Sequence, residues 1–426
     1  MTMPGIRLPA FAAPAALWLA ALLPLPPTLN SAEPAPAAPL RFPLSIIDSG
    51  DRAYFVDRAG QPFLLACDIA QAMLNRLRIE DVRHYLDVRV KQGYNSFWFI
   101  IGTPNAMTND TAFAQPGPQN AYGVPPFENT RDLSAPSRTY FNYVREIVDE
   151  AARRGMFVGI APAYVGANGR DLLPLMKHAG PAGCRAYGEF VGTFFRDQPN
   201  IFWIHHGDQN PYNFGGADSA ALVDEFVAGL RQTDNVYPRF HTAVSRVIPS
   251  TGLSPSNSRT SSYRAQFDST GKKVNPMPWL NLNHVYAKNR GQYAVMLSDF
   301  LVAWDVFTKS CRRLPFITVD GVCAYYHDEP RANRAQGYYA LLSGAAGFFN
   351  GNIRICWFMS PDSAPQAKRN WKDELESPAE ISTTHTARFF RSLPWWKLVP
   401  DTSRRLFRDR DETCVAAQTT DGRFAV

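Results

Sequence analysis

Residues 140–162 have the sequence YFNYVREIVDEAARRGMFVGIAP, and this stretch decides the fold class. Residues 140–154 repeat apolar side chains at the three- and four-residue spacing of an amphipathic helix, and Gly155 is a plausible end for it. Residues 156–162 are almost continuously apolar, which is typical of a strand covered on both faces. A helix that leads directly into such a strand is the repeating unit of a parallel sheet.

The same unit recurs on both sides of this stretch. Strands are predicted at 62–66, 94–101, 156–162, 200–205, 239–243, 279–286, 315–322 and 346–350. Helices are predicted between most of them, at 79–92, 140–154, 183–196, 218–231, 291–308 and 333–343. The pattern predicts an α/β fold, a (β/α)8 TIM barrel over residues 43–397. A doubly wound open sheet is the alternative, but no Gly-rich phosphate-binding turn follows the first strand.

Composition excludes several classes of protein. The chain has 426 residues, of which 45% are apolar and 19% charged, so it has ample material for a core and is not a disordered tail. The 44 basic and 38 acidic residues leave a net charge of +6, and no run of Lys or Arg is longer than two. Since a nucleic-acid-binding protein is expected to cluster its basic charge, we predict no nucleic-acid partner.

The first 42 residues predict an export signal and a spacer. Residues 1–32 carry one charge, Arg7, followed by the apolar run 17–23 and small residues, as in a signal peptide. Residues 33–42 form a Pro/Ala-rich spacer. A membrane anchor is the alternative, but the uninterrupted apolar run is well short of the roughly 20 residues that a span needs. We therefore expect a periplasmic or secreted protein without a membrane span.

The chain beyond the barrel predicts a short C-terminal β hairpin. Residues 413–417 and 423–426 are expected to be strands on either side of the turn at 420–422. Two strands cannot form an independent domain. We therefore expect residues 398–426 to be the truncated start of a C-terminal β module, or a hairpin that packs on the barrel.

The cysteines do not predict a metal site or a cofactor. No two of them form a Cys-x-x-Cys pair, and no His-x3-His motif accompanies them. Export permits disulfides, but spacing alone does not assign partners, so lone buried thiols are the expectation. The six cysteines are Cys67, Cys184, Cys311, Cys323, Cys356 and Cys414.

Polar and aromatic residues near the strand ends form the candidate site, because barrel enzymes bind substrate at the carboxyl ends of their strands. Amides and carboxylates hydrogen-bond sugar hydroxyls, while aromatic rings cover the apolar face of a sugar. Asp68 has an alternative role as a helix cap, and only one of the adjacent His205 and His206 can face the barrel mouth. The residues predicted to bind a carbohydrate are Asp68, Asn95, Tyr164, His205, His241, Asn283, His284, Asn352 and Trp357.

Asp208 and Asp320 are the predicted catalytic residues. Asp208 follows the fourth strand, where Gly207 allows a sharp turn of the backbone, and Asp320 ends the seventh strand. Glycoside cleavage needs two carboxyl groups, an acid and a nucleophile or base, and a retaining pair lies about 5–5.5 Å apart. A metal-dependent hydrolase that uses His205, His206 and Asp208 is an alternative, but no third carboxylate ligand accompanies them at a suitable spacing.

Several short motifs together resemble the apiosidase-like glycoside hydrolases. In chain order they are Leu64–Asp68, Gly93–Asn95, Asn120–Gly123, Asn200–Pro211, Val319–Gly321 and Ser343–Gly347. The resemblance implies a (β/α)8 barrel, usually followed by a small β domain described as collagen-binding. It implies retaining hydrolysis of glycosides such as the apiose linkages of pectin side chains. It also implies that Asp208 is the acid/base, since Gly207, Asp208 and Pro211 match the family's Gly-Asp-x-x-Pro motif.

The position of the family's nucleophile departs from that pattern. The family has a Glu in an Asp-Gly-Glu motif after strand seven, whereas here Val322 follows Asp320 and Gly321. Asp320 lies two residues earlier on the same face of the strand and is the best available second carboxylate. Asp328 or Glu329 in the following loop is an alternative, by an inverting route. A non-catalytic carbohydrate-binding protein on the same barrel is the alternative from another functional class.

Overall fold

The computed structural model describes residues 41–102, 118–129, 132–166, 171–209, 216–246, 277–285, 313–318, 330–362, 369–406 and 413–426, with Leu297, Phe300, Leu301 and Trp304. The strands in these ranges are β1 (Ser45–Asp48), β2 (Ala53–Val56), β3 (Leu65–Ile69), β4 (Ser96–Ile100), β5 (Phe157–Tyr164), β6 (Ile201–Gln209), β7 (His241–Arg246), β8 (Asn283–Val285), β9 (Phe316–Thr318), β10 (Gly347–Asn350), β11 (Leu398–Pro400) and β12 (Ala417–Thr419). The helices are α1 (Met73–Arg76), α2 (Ile79–Gln92), α3 (Arg138–Arg153), α4 (Leu173–Phe195), α5 (Gly216–Thr233), α6 (Pro330–Leu342), α7 (Ile353–Cys356), α8 (Trp371–Glu374) and α9 (Pro378–Arg391).

Strands β3 to β10 form a nearly closed parallel barrel. Their order around the barrel is β7-β6-β5-β4-β3-β10-β9-β8. The last gap, between β7 and β8, is crossed by the Leu282 N–H, which donates to the His241 carbonyl at 3.2 Å. The Asn281 side chain also crosses it, since its Oδ1 accepts from the His241 N–H at 2.6 Å. The (β/α)8 barrel is therefore confirmed, and each of the eight predicted strands overlaps one barrel strand.

Side chains of the barrel strands alternate between the interior and the surrounding helices. In β3, Leu65, Cys67 and Ile69 join an apolar cluster that takes alternate residues from the other strands, such as Trp98, and contains no residue of α2 to α6. This cluster fills the interior. Ala66, in contrast, joins a second cluster that includes the buried faces of α2 to α5. The wall of the barrel thus separates two cores.

A hairpin and aromatic rings close the amino-terminal end of the barrel. Strands β1 and β2 pair antiparallel, and Phe42, just before them, stacks on Phe157 at a centroid distance of 5.6 Å. Residues 53–56 and 62–66 are short apolar runs on either side of Arg58-Ala59-Gly60, a pattern that predicts a hairpin between them. That prediction is only partly correct, because 53–56 pairs with β1 and keeps a single antiparallel bridge to the second segment.

A buried arginine ties this hairpin to distant parts of the chain. Arg52 is 1% exposed, and its guanidinium donates four hydrogen bonds of 2.6–2.9 Å to backbone carbonyls. The acceptors are the carbonyls of Trp395, Leu398, Gly344 and Ala345. Burial lowers the pKa of Arg52 to about 9. The guanidinium therefore joins the β1–β2 hairpin to the connection between α6 and β10 and to the segment from Trp395 to β11.

The C-terminal strands differ in place from the prediction. The strand after residue 412 is β12, Ala417–Thr419, and it pairs antiparallel with β11. The predicted partner segment, 423–426, also pairs with β12, through the bridge between Gln418 and Ala425 and through three backbone hydrogen bonds across the turn at 420–422. A C-terminal hairpin is therefore present, and β11 pairs with it as well.

Helix α4 begins earlier than the predicted helix 183–196. It starts at Leu173 and kinks at Gly180, where φ is 67° and ψ is −176°, immediately before Pro181. A proline lacks the N–H that an unbroken helix requires, so Pro181 limited the predicted helix to the residues after it and the part from Leu173 to Gly180 was not predicted. After the kink, α4 packs against α5 so closely that a Cβ atom at Gly188 would overlap backbone atoms of α5.

Four cysteines lie in the described residues, and none of these four is in a disulfide. Cys67, Cys184 and Cys356 are buried, and Cys414 is half-buried. Cys311 and Cys323 lie outside the described residues. Across the part of the chain that is described, no helix combines the length and apolar character needed to cross a membrane.

Candidate active site

The carboxyl end of the barrel holds two aromatic side chains in the interior cluster, Tyr164 and Trp357. They are only 1% and 6% exposed. Tyr164 ends β5, and Trp357 follows α7 in the connection after β10. His284 shares a face of β8 with the interior residue Leu282, because side chains alternate along a strand, and Asn283 faces the other way. Tyr164, His284 and Trp357 are thus the predicted substrate residues that share the interior face.

The end of β6, which carries Asp208, has an unusual backbone. His206 has a φ of 67°, a left-handed conformation that histidine rarely adopts. Between His206 and Gln209, β6 contains one more residue than the facing part of β7, which makes a β-bulge. Gly207 lies against the neighbouring strand connection, since a Cβ there would be 2.6 Å from the Gly166 nitrogen. Backbone strain of this kind concentrates at functional sites.

His205 and His241 form a buried pair on the outer side of the barrel wall. His205 Nε2 lies 3.0 Å from His241 Nδ1, and the rings stack with their centroids 5.3 Å apart. The rings of Trp279 and of Phe226 in α5 make edge-to-face contacts with the His205 ring, with centroid distances of 4.9 and 6.2 Å. The pair was predicted to face substrate, whereas its contacts are with the helix layer.

All three buried histidines of this region are uncharged at neutral pH. Burial lowers the pKa of His206 and of His241 to about 3. Burial also lowers the pKa of His205 well below its ordinary value, and the neighbouring His241 adds to that effect. A neutral imidazole has one donor and one acceptor nitrogen, so the His205–His241 hydrogen bond joins two neutral rings.

Asp68 faces the helix layer and lies in a buried polar network. Its Oδ2 accepts from the Tyr85 hydroxyl at 2.6 Å and from Arg89 Nε at 2.7 Å. Arg89 also makes an ion pair of 2.8 Å with Glu380 of α9, and neither side chain is exposed to solvent. We call the connected set the Arg89 network; it consists of Asp68, Tyr85, Arg89, Asn350, Asn352, Glu374 and Glu380.

Two predicted substrate residues, Asn352 and Asn95, have their amides engaged within the protein. Asn352 Nδ2 donates to Glu374 and Glu380, both at 2.9 Å. Asn95 precedes β4, at the end of the barrel opposite the carboxyl ends of the strands. Its Oδ1 accepts from the Ala66 N–H and its Nδ2 donates to the Leu64 carbonyl, both at 2.9 Å.

Three charged members of the Arg89 network, Arg89, Glu374 and Glu380, were missed by sequence reasoning, although signals for Arg89 and Glu380 exist. Arg89 continues the buried stripe of α2 that contains Val82, Tyr85 and Leu86, and a charge on such a stripe implies a buried partner. Glu380 lies three residues after Ser377, whose Oγ accepts from the Glu380 N–H at 3.4 Å. This spacing is that of a capping box and marks a helix start.

The predicted catalytic side chains lie outside the described residues. The backbone of Asp208 is part of β6, but its side chain is not among those described, and Asp320, Asp328 and Glu329 fall outside as well. Among the side chains that are described, no group of three or more His, Cys, Asp or Glu residues is placed to hold a metal ion.

Comparison with known proteins gives a family match and several structural neighbours. The model of the family described as "Apiosidase-like, catalytic domain" matches residues 49–397. No curated protein matches the chain.

The structural neighbours have the same fold at low sequence identity. A crystal structure of a glycoside hydrolase family 5 protein from Bacteroides vulgatus has a TM-score of 0.66 at 18% identity, over 88% of this chain and 78% of that one. A second glycoside hydrolase has a TM-score of 0.67 at 17% identity, over 88% and 81%. The endo-1,4-beta-mannanase from Rhizomucor miehei has a TM-score of 0.53 at 10% identity, over 82% and 99%. At these identities the likeness is one of fold.

Proposed function

Because this chain belongs to the apiosidase-like family of catalytic domains, we propose that it is an exported glycoside hydrolase that acts on side chains of plant or bacterial polysaccharides. The family match supports hydrolysis of glycosidic bonds, and the (β/α)8 barrel supports an active site at the carboxyl ends of the strands. The apiosidase-like name supports a branched pentose as one substrate to test.

The backbone at the end of β6 carries the proposal for Asp208 as the acid/base. The left-handed His206 and the bulge that follows it redirect the chain just where Asp208 occurs. A general acid must be held within hydrogen-bond reach of the leaving-group oxygen, and a bulge is a common way to aim a catalytic side chain. Gly207, the residue before Asp208, lies so close to Gly166 that there is no room for a side chain at position 207.

Asp320 is the proposed partner of Asp208, with Tyr164 and Trp357 as the aromatic surface for the sugar. An acid at the end of β6, the fourth barrel strand, and a carboxylate after β9, the seventh, would flank a glycosidic bond across the barrel mouth. Tyr164 and Trp357 support a carbohydrate ligand because aromatic rings pack on the apolar faces of sugars.

The test of Asp208 is hydrolysis of a panel of plant and bacterial glycans by the purified full chain. Asp208→Asn keeps the shape of the side chain but has no proton to donate, so we expect turnover to fall at least about a hundredfold. Asp197→Asn, at a side chain that is 65% exposed next to Arg196, is the matched control and keeps full turnover. Unchanged turnover in Asp208→Asn refutes the assignment.

The alternative, a carbohydrate-binding protein without hydrolytic activity, is favoured by Val322 at the family's nucleophile position. Two variants separate the alternatives. If Asp320 is the second carboxylate, Asp320→Asn removes hydrolysis that the unmodified chain shows. If the chain only binds, the unmodified chain retains a glycan without cleaving it, and Val322→Glu introduces cleavage because it supplies a carboxylate.

A further inference from the structure

We infer that Asn352 and Glu380 are positioning residues, which hold the ring of Trp357 at the mouth of the barrel, and that neither contacts substrate. That the Trp357 ring serves a sugar rests on the proposed function. The anchoring of the ring does not, because it follows from hydrogen bonds within the chain.

The amide of Asn352 is saturated by protein groups. One Nδ2 hydrogen goes to Glu374 Oε1 and the other to Glu380 Oε1, each at 2.9 Å. The Oδ1 atom accepts from the Arg354 N–H at 3.0 Å and so caps α7. The side chain has no exposed surface. Both donors are therefore used inside the protein, and an amide in this state has none left for a sugar hydroxyl.

The backbone carries this anchor directly to Trp357. The Asn352 carbonyl accepts from the Cys356 N–H at 2.7 Å, and the Ile353 carbonyl accepts from the Trp357 N–H at 3.1 Å. A single helical turn thus separates the anchored amide from the ring. On its other side, the Cys356 carbonyl accepts from the Ala72 N–H at 3.0 Å, which ties the turn to the connection after β3.

Glu380 is held in place directly by β10 and α2, and indirectly by β3 through Arg89. Its Oε2 accepts from Asn350 Nδ2 at 2.8 Å at the end of β10, and it pairs with Arg89 at 2.8 Å. Arg89 in turn bonds Asp68 at the end of β3. All of these side chains are buried, so each one constrains the others, and removal of one leaves polar atoms without partners.

Asn352 joins two buried carboxylates, since its amide nitrogen donates to both Glu374 and Glu380. Replacing it by Asp would keep the oxygen that caps α7 while placing a third carboxylate against these two. Replacing it by Ala would remove both the cap and the bridge. The two variants therefore separate capping of α7 from anchoring by Glu374 and Glu380.

The experiment is fluorine NMR of the full chain labelled with 5-fluorotryptophan, with the Trp357 resonance assigned by its loss in Trp357→Phe. We expect the Trp357 resonance to shift or broaden in both Asn352→Ala and Asn352→Asp, and in Glu380→Gln. The matched control is Asn200→Ala, which removes a fully buried amide that bonds the Val148 and Met156 carbonyls at the start of β6. It should lower the unfolding temperature but leave the Trp357 resonance in place.

The outcomes are distinct. A Trp357 resonance at its original position in folded Asn352→Asp or folded Glu380→Gln overturns the inference, because the α7 cap alone would then hold the ring. Global unfolding of both Asn352 variants while Asn200→Ala stays folded overturns it as well. If the glycan panel yields a substrate, Asn352→Ala should raise KM about tenfold with a smaller change in kcat, since displacement of a positioning contact weakens binding first. An inactive chain refutes the proposed function and leaves the NMR result intact.

Discussion

The buried histidines make the stability of the fold depend on pH in a defined direction. His206 and His241 have a pKa of about 3 in the folded chain, against 6.5 for an ordinary histidine. Below pH 6.5 the unfolded chain therefore binds protons that the folded chain does not. The free energy of unfolding is at its full value above pH 6.5 and falls as the pH drops from there to about 3.

The size of the effect follows from the two pKa values. Between pH 7.5 and 5.5, one histidine that titrates at 6.5 unfolded and at about 3 folded lowers the free energy of unfolding by about 1.4 kcal/mol. His206 and His241 together account for about 3 kcal/mol, a large share of the stability of a typical domain. His205, whose pKa is also lowered by burial and by His241, acts in the same direction.

Guanidinium unfolding followed by circular dichroism at pH 5.5, 6.5 and 7.5, at constant ionic strength, measures this dependence. His241→Gln should reduce the difference in unfolding free energy between pH 5.5 and 7.5 by about 1.4 kcal/mol, because one titrating group is gone. His385→Gln, at an exposed histidine of α9, is the control and should leave the difference unchanged. A chain equally stable at pH 5.5 and 7.5, or the same difference in His241→Gln, would refute the reasoning.

Two further predictions concern packing. Arg52→Met removes the guanidinium donor from four buried backbone carbonyls and should lower the free energy of unfolding by at least about 3 kcal/mol, measured by chemical denaturation. Arg58→Met, at an exposed arginine of the following turn, is the comparison and should change it by less than about 0.5 kcal/mol. Gly188→Ala places a Cβ on the Phe226 carbonyl and should lower the melting temperature by several degrees or prevent folding. A melting temperature equal to that of the unmodified chain would show that α4 and α5 can separate at no cost.

The barrel was predictable because its strands are covered on both faces. Such strands are continuous apolar runs, and eight of them separated by helical patterns leave few alternatives. Helix α9 was not predicted, for the opposite reason. It buries Ser382, Thr383 and Thr386, while Ile381 is 48% exposed. The only apolar residues buried on this helix are Ala379, Ala387 and Phe390, so most of its buried face is hydroxylated or acidic and the apolar stripe that indicates a helix is incomplete.

The site was harder to predict than the fold for a related reason. Strand ends locate the barrel mouth, and Tyr164 and Trp357, which were chosen on that basis, both lie in the interior cluster, while their contact with a sugar stays a prediction. The face of the strand on which a residue lies could not be predicted, because a strand with two apolar faces shows no alternation of apolar and polar residues. The residues of β3 are Leu-Ala-Cys-Asp-Ile, all buried, and nothing in that run tells that Asp68 faces the helices. The same ambiguity applies to His205 beside His206.

The four hydrogen bonds of Arg52 also have a consequence for biosynthesis. The guanidinium belongs to the β1–β2 hairpin, and two of its acceptors, the carbonyls of Trp395 and Leu398, follow it in the sequence by 343 and 346 residues. Until these residues have been synthesised, the Arg52 guanidinium lacks two of the carbonyl acceptors that allow it to be buried. The burial of Arg52 with all four acceptors therefore requires synthesis to have passed Leu398.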